Sequence, residues 1–328
     1  MLSSHTSSME FPLDALTPEE KCEKPKCGYV LMTAAYNEEA YIEKTLQSVI
    51  AQTVRPERWV IISDNSVDRT DEIVESYADR YDFIRFLRVS KAVGHSFHSK
   101  VVALHKGATL LEGAAYDFIG NIDADLSLEP DYFEQLLQHF QKHSDLGLAG
   151  GFVYEDDGHG FRKHWLNSGS DVGHAAQLVR RECYEAIGGY VVLKYGGEDW
   201  YAQTRARMKG WRVEAIPDLK IFHHRRTGAG NRPLRNAFRL GKLDYSFGSD
   251  PLFEVVKCLR RLREKPYLIG GITRLAGFAW SYVFPEARAV PDEFMAFLRA
   301  EQRSRVALLV GVHRANKWIA PKPRSKTA

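Results

Sequence analysis

The sequence predicts an α/β fold, with a mainly parallel sheet flanked by helices and a helical extension after it. From residue 28 to about residue 150, short apolar runs typical of buried strands alternate with segments of helical periodicity. Strands that alternate with helices form parallel sheets covered on both faces. The composition is that of a globular protein, with 44% hydrophobic and 27% charged residues. At 328 residues, the chain is about twice a usual domain and has room for the extension.

Four strand–helix units occupy the first half of the chain. The predicted strands are 28–36, 58–63, 83–89 and 116–122, and the predicted helices are 37–53, a segment through Ile73, Val74 and Tyr77, 99–113 and 131–143. In such sheets the binding crevice lies beyond the carboxyl ends of the strands. Three of these strands end in polar residues, which we therefore expect to share one crevice: Asn37-Glu38, Asp64 and Asp123-Ala124-Asp125.

The pattern changes after residue 150. Residues 150–175 are rich in glycine and polar side chains, which favours a loop over a regular element. Residues 176–190 have a helical pattern that ends at Gly188-Gly189, and 196–211 predict a helix with acids at its start and a basic end. Two short strands, 212–216 and 219–222, follow, and the second leads into a pair of histidines.

Charge divides the chain unevenly. Residues 1–225 contain 25 Lys and Arg against 34 Asp and Glu, whereas residues 226–328 contain 20 against 8. We expect three parts: a polar lead-in (1–27), an α/β domain (28–225) and a basic, mostly helical extension (226–328). A basic tail on an acidic body favours contact with an anionic partner, and a solvated basic face explains the charge equally well.

Cysteine content and hydropathy predict a cytoplasmic protein. Four scattered cysteines fit neither a disulfide framework nor a zinc site, and they favour a reducing compartment. The N-terminal residues lack the pattern of a secretory signal. The most apolar stretch, 267–284, contains Arg274, so we predict no transmembrane helix.

The strongest candidate for chemistry is the acid pair of "DAD", Asp123 and Asp125. If strand geometry persists, the two carboxylates lie side by side, and like charges that close need a cation between them. Mg²⁺ takes one or two carboxylates together with substrate phosphates. The alternative is an ordinary turn after a strand, where Asp is common.

Three further groups could complete a site, each with a structural alternative. Asp64 could accept hydrogen bonds from a ribose or a base, or it could form a helix N-cap or an Asx-turn. Glu198-Asp199 could supply a general base, or it could simply stabilise a helix start. His223-His224 could add an imidazole to a metal shell, or remain structural; an extended chain would turn only one of the two inward.

In their order along the chain, these groups resemble the family 2 glycosyltransferases, which have a single Rossmann-like catalytic domain of the GT-A type. The resemblance covers about residues 28–225. Five collinear blocks carry it, from "TAAYNEEAYIEKTLQSVIAQT" and "VIISDNSVDRTDEIV" to "SKVVALHKGATLLEGAAYDFIGNIDADLSLEPDYFEQLL", "LVRRECYEAIGGY" and "GGEDWYAQTRARMKGWRVEAIPDLKIFHH". One departure is His105, where many relatives have Asn, and we assign it no role.

The resemblance implies a role for each matching residue. A divalent cation, Mg²⁺ or Mn²⁺, would be held by Asp125 and His223, and Asp199 would be the catalytic base. The nucleotide would contact residues after the first two strands and around the acid pair, and the sugar or acceptor would lie near the start of the helix that carries the base. The residues in contact with the nucleotide would be Ala35, Tyr36, Glu38, Asp64, Lys100 and Asp123. The residues near the catalytic base, where the sugar or acceptor lies, would be Gly197, Glu198 and Trp200.

The implied activity is inverting transfer of a sugar from a nucleotide-diphosphate sugar, UDP-linked by preference, to a hydroxyl acceptor on a lipid-linked or growing glycan. One rival is a haloacid-dehalogenase-type phosphatase. The sequence "DADLS" loosely resembles the nucleophile loop of these enzymes, although that loop normally follows a first strand. Another is a nucleotidyltransferase, although its glycine-rich loop is missing from "TAAYNEEA". The third is a nucleotide-sugar-binding subunit without turnover.

The extension combines a basic cluster with apolar and aromatic residues between 251 and 284. Such a segment suits a helix lying in an anionic headgroup layer, which would place the protein at the inner face of the cell membrane. The alternative is a helical hairpin packed against the α/β domain. We expect no nucleic-acid partner, because the basic residues adjoin large apolar runs and no nucleic-acid-binding motif is present.

Overall fold

The computed structural model describes residues 27–89, 99–164, 167, 169, 171–225, 233–263 and 266–309. Within these ranges the chain forms nine strands and ten α-helices. The strands are β1 (Tyr29–Ala35), β2 (Arg58–Asp64), β3 (Ile84–Val89), β4 (Phe118–Ile122), β5 (Leu126–Leu128), β6 (Leu146–Asp156), β7 (Phe161–Lys163), β8 (Ala176–Arg180) and β9 (Arg212–His223). The helices are α1 (Ile42–Ile50), α2 (Thr70–Ala78), α3 (Ser99–Ala108), α4 (Tyr132–Lys142), α5 (Arg181–Ile187), α6 (Glu198–Met208), α7 (Pro233–Ser246), α8 (Pro251–Arg260), α9 (Ile269–Val283) and α10 (Asp292–Leu309).

The sheet has the strand order β3-β2-β1-β4-β8-β6-β9-β5, and β7 pairs with β6 beside this path. Strands β3, β2, β1 and β4 are parallel to one another. Beyond them β8 runs antiparallel to both β4 and β6, and β9 runs parallel to β6. The predicted α/β fold with flanking helices is confirmed, together with the first four strand–helix units. Among the described residues the sheet as a whole is mixed, with four parallel and four antiparallel strand pairings.

Both faces of the parallel strands are buried, as their continuous apolar sequences predict. Alternate residues of β1 point to opposite faces, so Leu31 packs with α1 and α4 while Met32 packs with α3. Helix α1 presents its apolar stripe, Ile42, Leu46 and Val49, to the first face. The sheet is therefore a rigid frame that fixes where each strand ends.

The loops after β1 and β2 are tied together at the carboxyl edge of the sheet. The N–H of Val67 donates to Asn37 Oδ1 over 2.9 Å, and the N–H of Glu38 donates to Thr70 Oγ1 over 2.7 Å. Asn37 and Asn65 have φ angles of 54° and 61°, a left-handed conformation that asparagine tolerates better than most residues. These bonds fix the backbone of Glu38.

The structure corrects the predictions for residues 150–190. Instead of a loop, β6 and β7 form an antiparallel pair, and residues 176–180 form β8 rather than the start of a helix, which begins only at Arg181. The glycines of this region provide room for close backbone approach: a Cβ on Gly150 would lie 2.6 Å from the Ala176 carbonyl oxygen. Hydrogen bonding of β8 to strands on both of its edges outweighs the helical periodicity of its sequence.

The two short strands predicted at 212–216 and 219–222 are one strand, β9. Its pairing with β6 shifts register between Ile216 and Lys220, where Pro217 and Asp218 are exposed. Proline is compatible with a strand at such a bulge, and the strand continues beyond it. This continuity brings the end of β9 to the carboxyl edge.

The C-terminal helices pack against the α/β domain. Phe247, Phe294 and Leu298 form an apolar cluster with Tyr201 of α6, and Arg207 pairs with Glu301 of α10 over 2.8 Å. The predicted lead-in (1–27) lies almost entirely outside the described residues, as does the start of the extension at 226–232. No helix in the described ranges is long and apolar enough to cross a membrane.

Close contact between α7 and α9 depends on two glycines. A Cβ on Gly241 would overlap the Arg274 carbonyl oxygen and lie 2.6 Å from the Phe278 nitrogen, and a Cβ on Gly277 would overlap Phe238 backbone atoms. We predict that Gly241→Ala lowers the free energy of unfolding by about 1–3 kcal/mol, because backbone atoms cannot move aside as side chains can. Denaturant unfolding measures the change.

Gly270→Ala, in the partner helix α9, is the control, because its added methyl group meets only the Pro266 ring, at 3.3 Å. This variant should be neutral or slightly stabilised, since alanine favours helix over glycine. Equal stability of the two variants would contradict the tight α7–α9 contact.

Candidate active site

The acid pair lies where β4 leaves the sheet. Asp123 follows the last residue of β4, and its N–H donates to the Ala175 carbonyl oxygen over 2.7 Å. Asp125 immediately precedes β5 and is 8% exposed. The strand does not run through the pair, yet both carboxylates stay at the carboxyl edge because β4 and β5 hold the segment at each end.

Pairing of β5 with β9 decides which histidine faces the acids. Leu126 lies opposite His223 in this antiparallel pair, and His223 Nε2 is 3.0 Å from Asp125 Oδ1. His224 points to the other face, where its Nε2 is 3.0 Å from Ser127 Oγ and its ring stacks on Tyr41. The sequence left this choice open, and strand alternation resolves it in favour of His223.

Asp123, Asp125 and His223 form a group that fits a divalent cation. One ligand atom from each residue lies within 4.8 Å of the others. His223 Nδ1 is buried and has no hydrogen-bond partner within the described ranges. Two carboxylates with one imidazole are a donor set that suits Mg²⁺ or Mn²⁺.

Two basic side chains balance the acids of this group. Lys100 Nζ is 2.5 Å from Asp123 Oδ1, and Arg225 Nε is 3.1 Å from Asp125 Oδ2. Burial opposes ionisation of Asp125, but its hydrogen bond to His223 and the positive charges nearby outweigh burial and lower its pKa. Burial lowers the pKa of Lys100, but the charge of Asp123 outweighs it, so the net shift is upward.

Glu38 reaches the same group from the loop after β1. Its carboxylate pairs with Arg225, which also holds Asp125. Burial and then the charge of Asp125 raise the pKa of Glu38 to about 7, despite the opposing effect of Arg225. A shared guanidinium therefore joins the first strand to the acid pair, and the sequence alone did not single out Arg225.

Asp199 stands in the first turn of α6. Gly197 at the helix start has a φ of 86°, and a Cβ there would lie 3.1 Å from the Phe247 ring, so glycine suits this turn. Burial raises the pKa of Asp199, against the lowering effect of the Trp200 N–H and of Lys100. Burial and the charge of Asp199 also raise the pKa of Glu198. A carboxylate with a raised pKa suits a general base.

A cavity of about 560 Å³ brings several predicted residues together. Asp123, Asp199, His223, Gly197 and Trp200 line it. Asp125 and Lys100 adjoin it through their bonds to His223 and Asp123. The cavity also reaches α7, α8 and α10, so the C-terminal helices complete its wall.

The remaining nucleotide candidates lie at the neighbouring strand ends and do not line this cavity. Ala35 ends β1 beside Ser63 of β2, and Asp64, 5% exposed, is the last residue of β2. Tyr36 is 37% exposed. Asp64 is not the helix cap, because α2 begins at Thr70, whose N–H donates to Asp68 Oδ1 instead.

His174 is a residue that the sequence analysis missed. Its Nδ1 is 3.0 Å from Lys100 Nζ and 4.0 Å from Glu198 Oε1, and it lines the cavity. Burial and the neighbouring Lys100 hold the pKa of His174 well below its usual value, so the neutral ring accepts the bond from Lys100. His105 has a structural contact, with Nε2 2.6 Å from the Tyr190 carbonyl oxygen.

Curated relatives match about two-fifths of the chain. Poly-β-1,6-N-acetyl-D-glucosamine synthase of Staphylococcus aureus (strain COL) is 31% identical over 124 residues, which are 38% of this chain and 28% of that protein. A Bacillus subtilis (strain 168) relative named EpsH is 33% identical over 129 residues, which are 39% of this chain and 35% of that protein. The chain thus matches only about a third of the length of these relatives.

Solved structures share the fold. A mannosyltransferase from Pyrobaculum calidifontis, solved with GDP-Man and Mn²⁺, superposes with a TM-score of 0.51 at 17% identity, covering 89% of this chain and 84% of that one. This likeness confirms the GT-A type of the α/β fold. The sequence profile of Glycosyl transferase family 2 matches residues 31–194, half of the chain, and the chain therefore belongs to that family.

Proposed function

We propose that the chain is an inverting glycosyltransferase that moves a sugar from a nucleotide-diphosphate sugar to a hydroxyl acceptor. The observation that carries this proposal is that Asp123, His223 and Asp199 line one and the same cavity. Two of these residues belong to the group that suits a cation, and the third is a carboxylate with a raised pKa. Membership of Glycosyl transferase family 2 supports the same activity.

In this proposal Asp199 is the general base. It takes the proton of the acceptor hydroxyl as the oxygen forms a bond to the anomeric carbon, and the bond from that carbon to the diphosphate breaks. The nucleoside diphosphate leaves as an anion from the opposite side, so one displacement inverts the anomeric centre. Lys100, bonded to Asp123, supplies a positive charge beside the leaving diphosphate.

Asp123, Asp125 and His223 would hold Mg²⁺ or Mn²⁺. Such a cation supplies stabilisation of the negative charge that develops on the departing diphosphate. Two neighbouring cations, Lys100 and Arg225, hold the carboxylates in the geometry described above. The mannosyltransferase of the same fold, solved with GDP-Man and Mn²⁺, is compatible with this assignment.

The donor nucleotide would bind at the carboxyl ends of β1 and β2. Asp64 would accept a hydrogen bond from the base, and the half-exposed ring of Tyr36 would pack near it. We propose UDP as the nucleotide, as the resemblance to the family implies. A glycan acceptor is supported by the name of the Staphylococcus aureus relative, a poly-β-1,6-N-acetyl-D-glucosamine synthase.

We also propose that α8 and α9 contact an anionic membrane surface. Their inner faces pack against α7, α10 and each other, but their outer faces expose apolar side chains, including Leu259 (58%), Ile272 (62%) and Val283 (70%). Trp280 and Phe284 are half-exposed beside them, and Arg260 and Arg263 are exposed at the end of α8. Exposed apolar surface flanked by aromatic and basic residues suits a headgroup layer.

Asp199→Asn should reduce sugar transfer by about 10²–10⁴-fold, because the amide cannot take the acceptor proton. Nucleoside diphosphate release from a panel of nucleotide sugars with Mn²⁺ and candidate glycans measures it. Donor binding, followed by the thermal midpoint, should be unchanged. Asp145→Asn, at an exposed carboxylate, is the control. Full turnover by Asp199→Asn would remove this residue from the role of base.

His223→Ala should weaken Mn²⁺ binding at least 10-fold, because the loss of even an outer partner of a metal ligand costs that much. His224→Ala is the matched control: the adjacent ring faces Ser127 and should leave the Mn²⁺ affinity unchanged. Titration followed by electron paramagnetic resonance measures free Mn²⁺ directly. Equal affinities for the two variants would rule out His223 as a ligand.

The paired change Ile272→Glu and Val283→Glu should abolish co-flotation of the chain with vesicles that contain phosphatidylserine, because both residues lie on the exposed face of α9. Val67→Glu changes an even more exposed apolar residue (82%) in the loop after β2 and should float like the unaltered chain. No flotation by the unaltered chain would end the membrane proposal.

A further inference from the structure

His174 has its backbone and its ring held in place beside the acid pair. Its carbonyl oxygen accepts a hydrogen bond from Asn121 Nδ2 over 3.0 Å, and the next carbonyl oxygen, that of Ala175, accepts from the Asp123 N–H. The ring meets that of Tyr190 edge to face, with centroids 5.1 Å apart, and the side chain is 10% exposed. The imidazole therefore has a fixed position in the lining of the cavity.

Contact with Lys100 decides which ring nitrogen of His174 carries the proton. The Lys100 ammonium can only donate hydrogen bonds, so His174 Nδ1, 3.0 Å from Nζ, is the acceptor. A neutral imidazole has one N–H group, which therefore lies on Nε2. Nε2 is buried and has no hydrogen-bond partner within the described ranges. A buried donor of this kind is costly unless a ligand or a water completes it.

His174 is close to both ends of the proposed reaction. In a displacement from the opposite side, the transferred sugar lies between the leaving diphosphate and the incoming hydroxyl. The proposed function places Lys100 beside the first of these groups and Asp199 beside the second. His174 Nδ1 is 3.0 Å from Lys100 Nζ and 4.0 Å from Oε1 of Glu198, the residue before Asp199. The imidazole therefore lies beside the place that the sugar must occupy.

We propose that the Nε2–H of His174 donates a hydrogen bond to a hydroxyl oxygen of the transferred sugar and so helps to select that sugar. The inference rests on the proposed function, because Lys100 and Asp199 locate the sugar only if they hold the roles given to them above. A sugar that lacks this hydroxyl leaves the buried N–H without an acceptor, whereas the correct sugar completes it. His174 thus discriminates among sugars without contacting the nucleotide.

Two amide variants of the full chain separate the nitrogens of the ring. Asparagine places its amide at the position of Nδ1, whereas glutamine reaches the position of Nε2. Equilibrium binding is measured with Mn²⁺ and UDP-glucose, UDP-N-acetylglucosamine, GDP-mannose, UDP and GDP. His174→Asn should weaken binding of the nucleotide sugar about 10-fold, as for the loss of one hydrogen bond, and leave binding of the free nucleoside diphosphate unchanged. His174→Gln should retain most of the affinity.

Deoxy sugars identify the hydroxyl. Forms of the bound donor that each lack one hydroxyl are compared in the unaltered chain and in His174→Asn. At one position, loss of the hydroxyl should lower the affinity of the unaltered chain about 10-fold and that of His174→Asn hardly at all, because the variant already lacks the contact. Equal losses in both proteins at every position would overturn the inference.

His159→Asn is the matched control, because His159 is exposed and does not line the cavity, and this variant should bind every probe like the unaltered chain. Equal weakening of a nucleoside diphosphate and of its sugar by His174→Asn would mean that His174 acts through Lys100 on the diphosphate. That result would overturn the inference and leave the proposed function standing. Absence of nucleotide-sugar binding in the unaltered chain would instead contradict the proposed function, on which the inference rests.

Discussion

Pairing of three residues of β5 with the end of β9 is the contact on which the site depends. It brings Asp125 against His223, residues from segments almost a hundred positions apart, and fixes which histidine ring faces the acids. A slip of one residue would exchange His223 for His224, because the side-chain period of a strand is two. The Asp123 N–H, bonded to Ala175, holds the other acid in place.

Charge compensation makes this cluster of acids possible in a buried setting. Asp123, Asp125 and Glu38 converge at the sheet edge, and each would resist ionisation there if it stood alone. Lys100 and Arg225 each hold one acid of the pair, and Arg225 also holds Glu38. His174 in turn supports Lys100 from the cavity side. The strand ends are thus electrostatically coupled, and a change at one acid is felt by the others.

The C-terminal helices convert an open sheet edge into a cavity. Tight glycine packing joins α7 to α9, and aromatic contacts with α6 anchor the helices on the domain. Their inner side contributes Lys257, Arg261, Arg274 and Arg305 to the cavity lining, and the outer side of α8 and α9 exposes apolar side chains. Some of the basic residues that make the C-terminal region positively charged therefore line the cavity.

The sequence by itself determined the parallel core and its polar strand ends, because continuous apolar runs and helical spacing are local properties that burial on both faces requires. It also determined the acid pair and Asp199 as candidates, since these stand directly after a strand or at a helix start. Only the tertiary structure decided the rest. Residues 176–180 form a strand, and β9 is one continuous strand, because pairing with strands distant in sequence outweighs the local periodicity of the sequence. The choice of His223, the contacts of Arg225 and His174, and the cavity lining depend on side chains brought together from separate elements, and no spacing along the chain encodes such contacts.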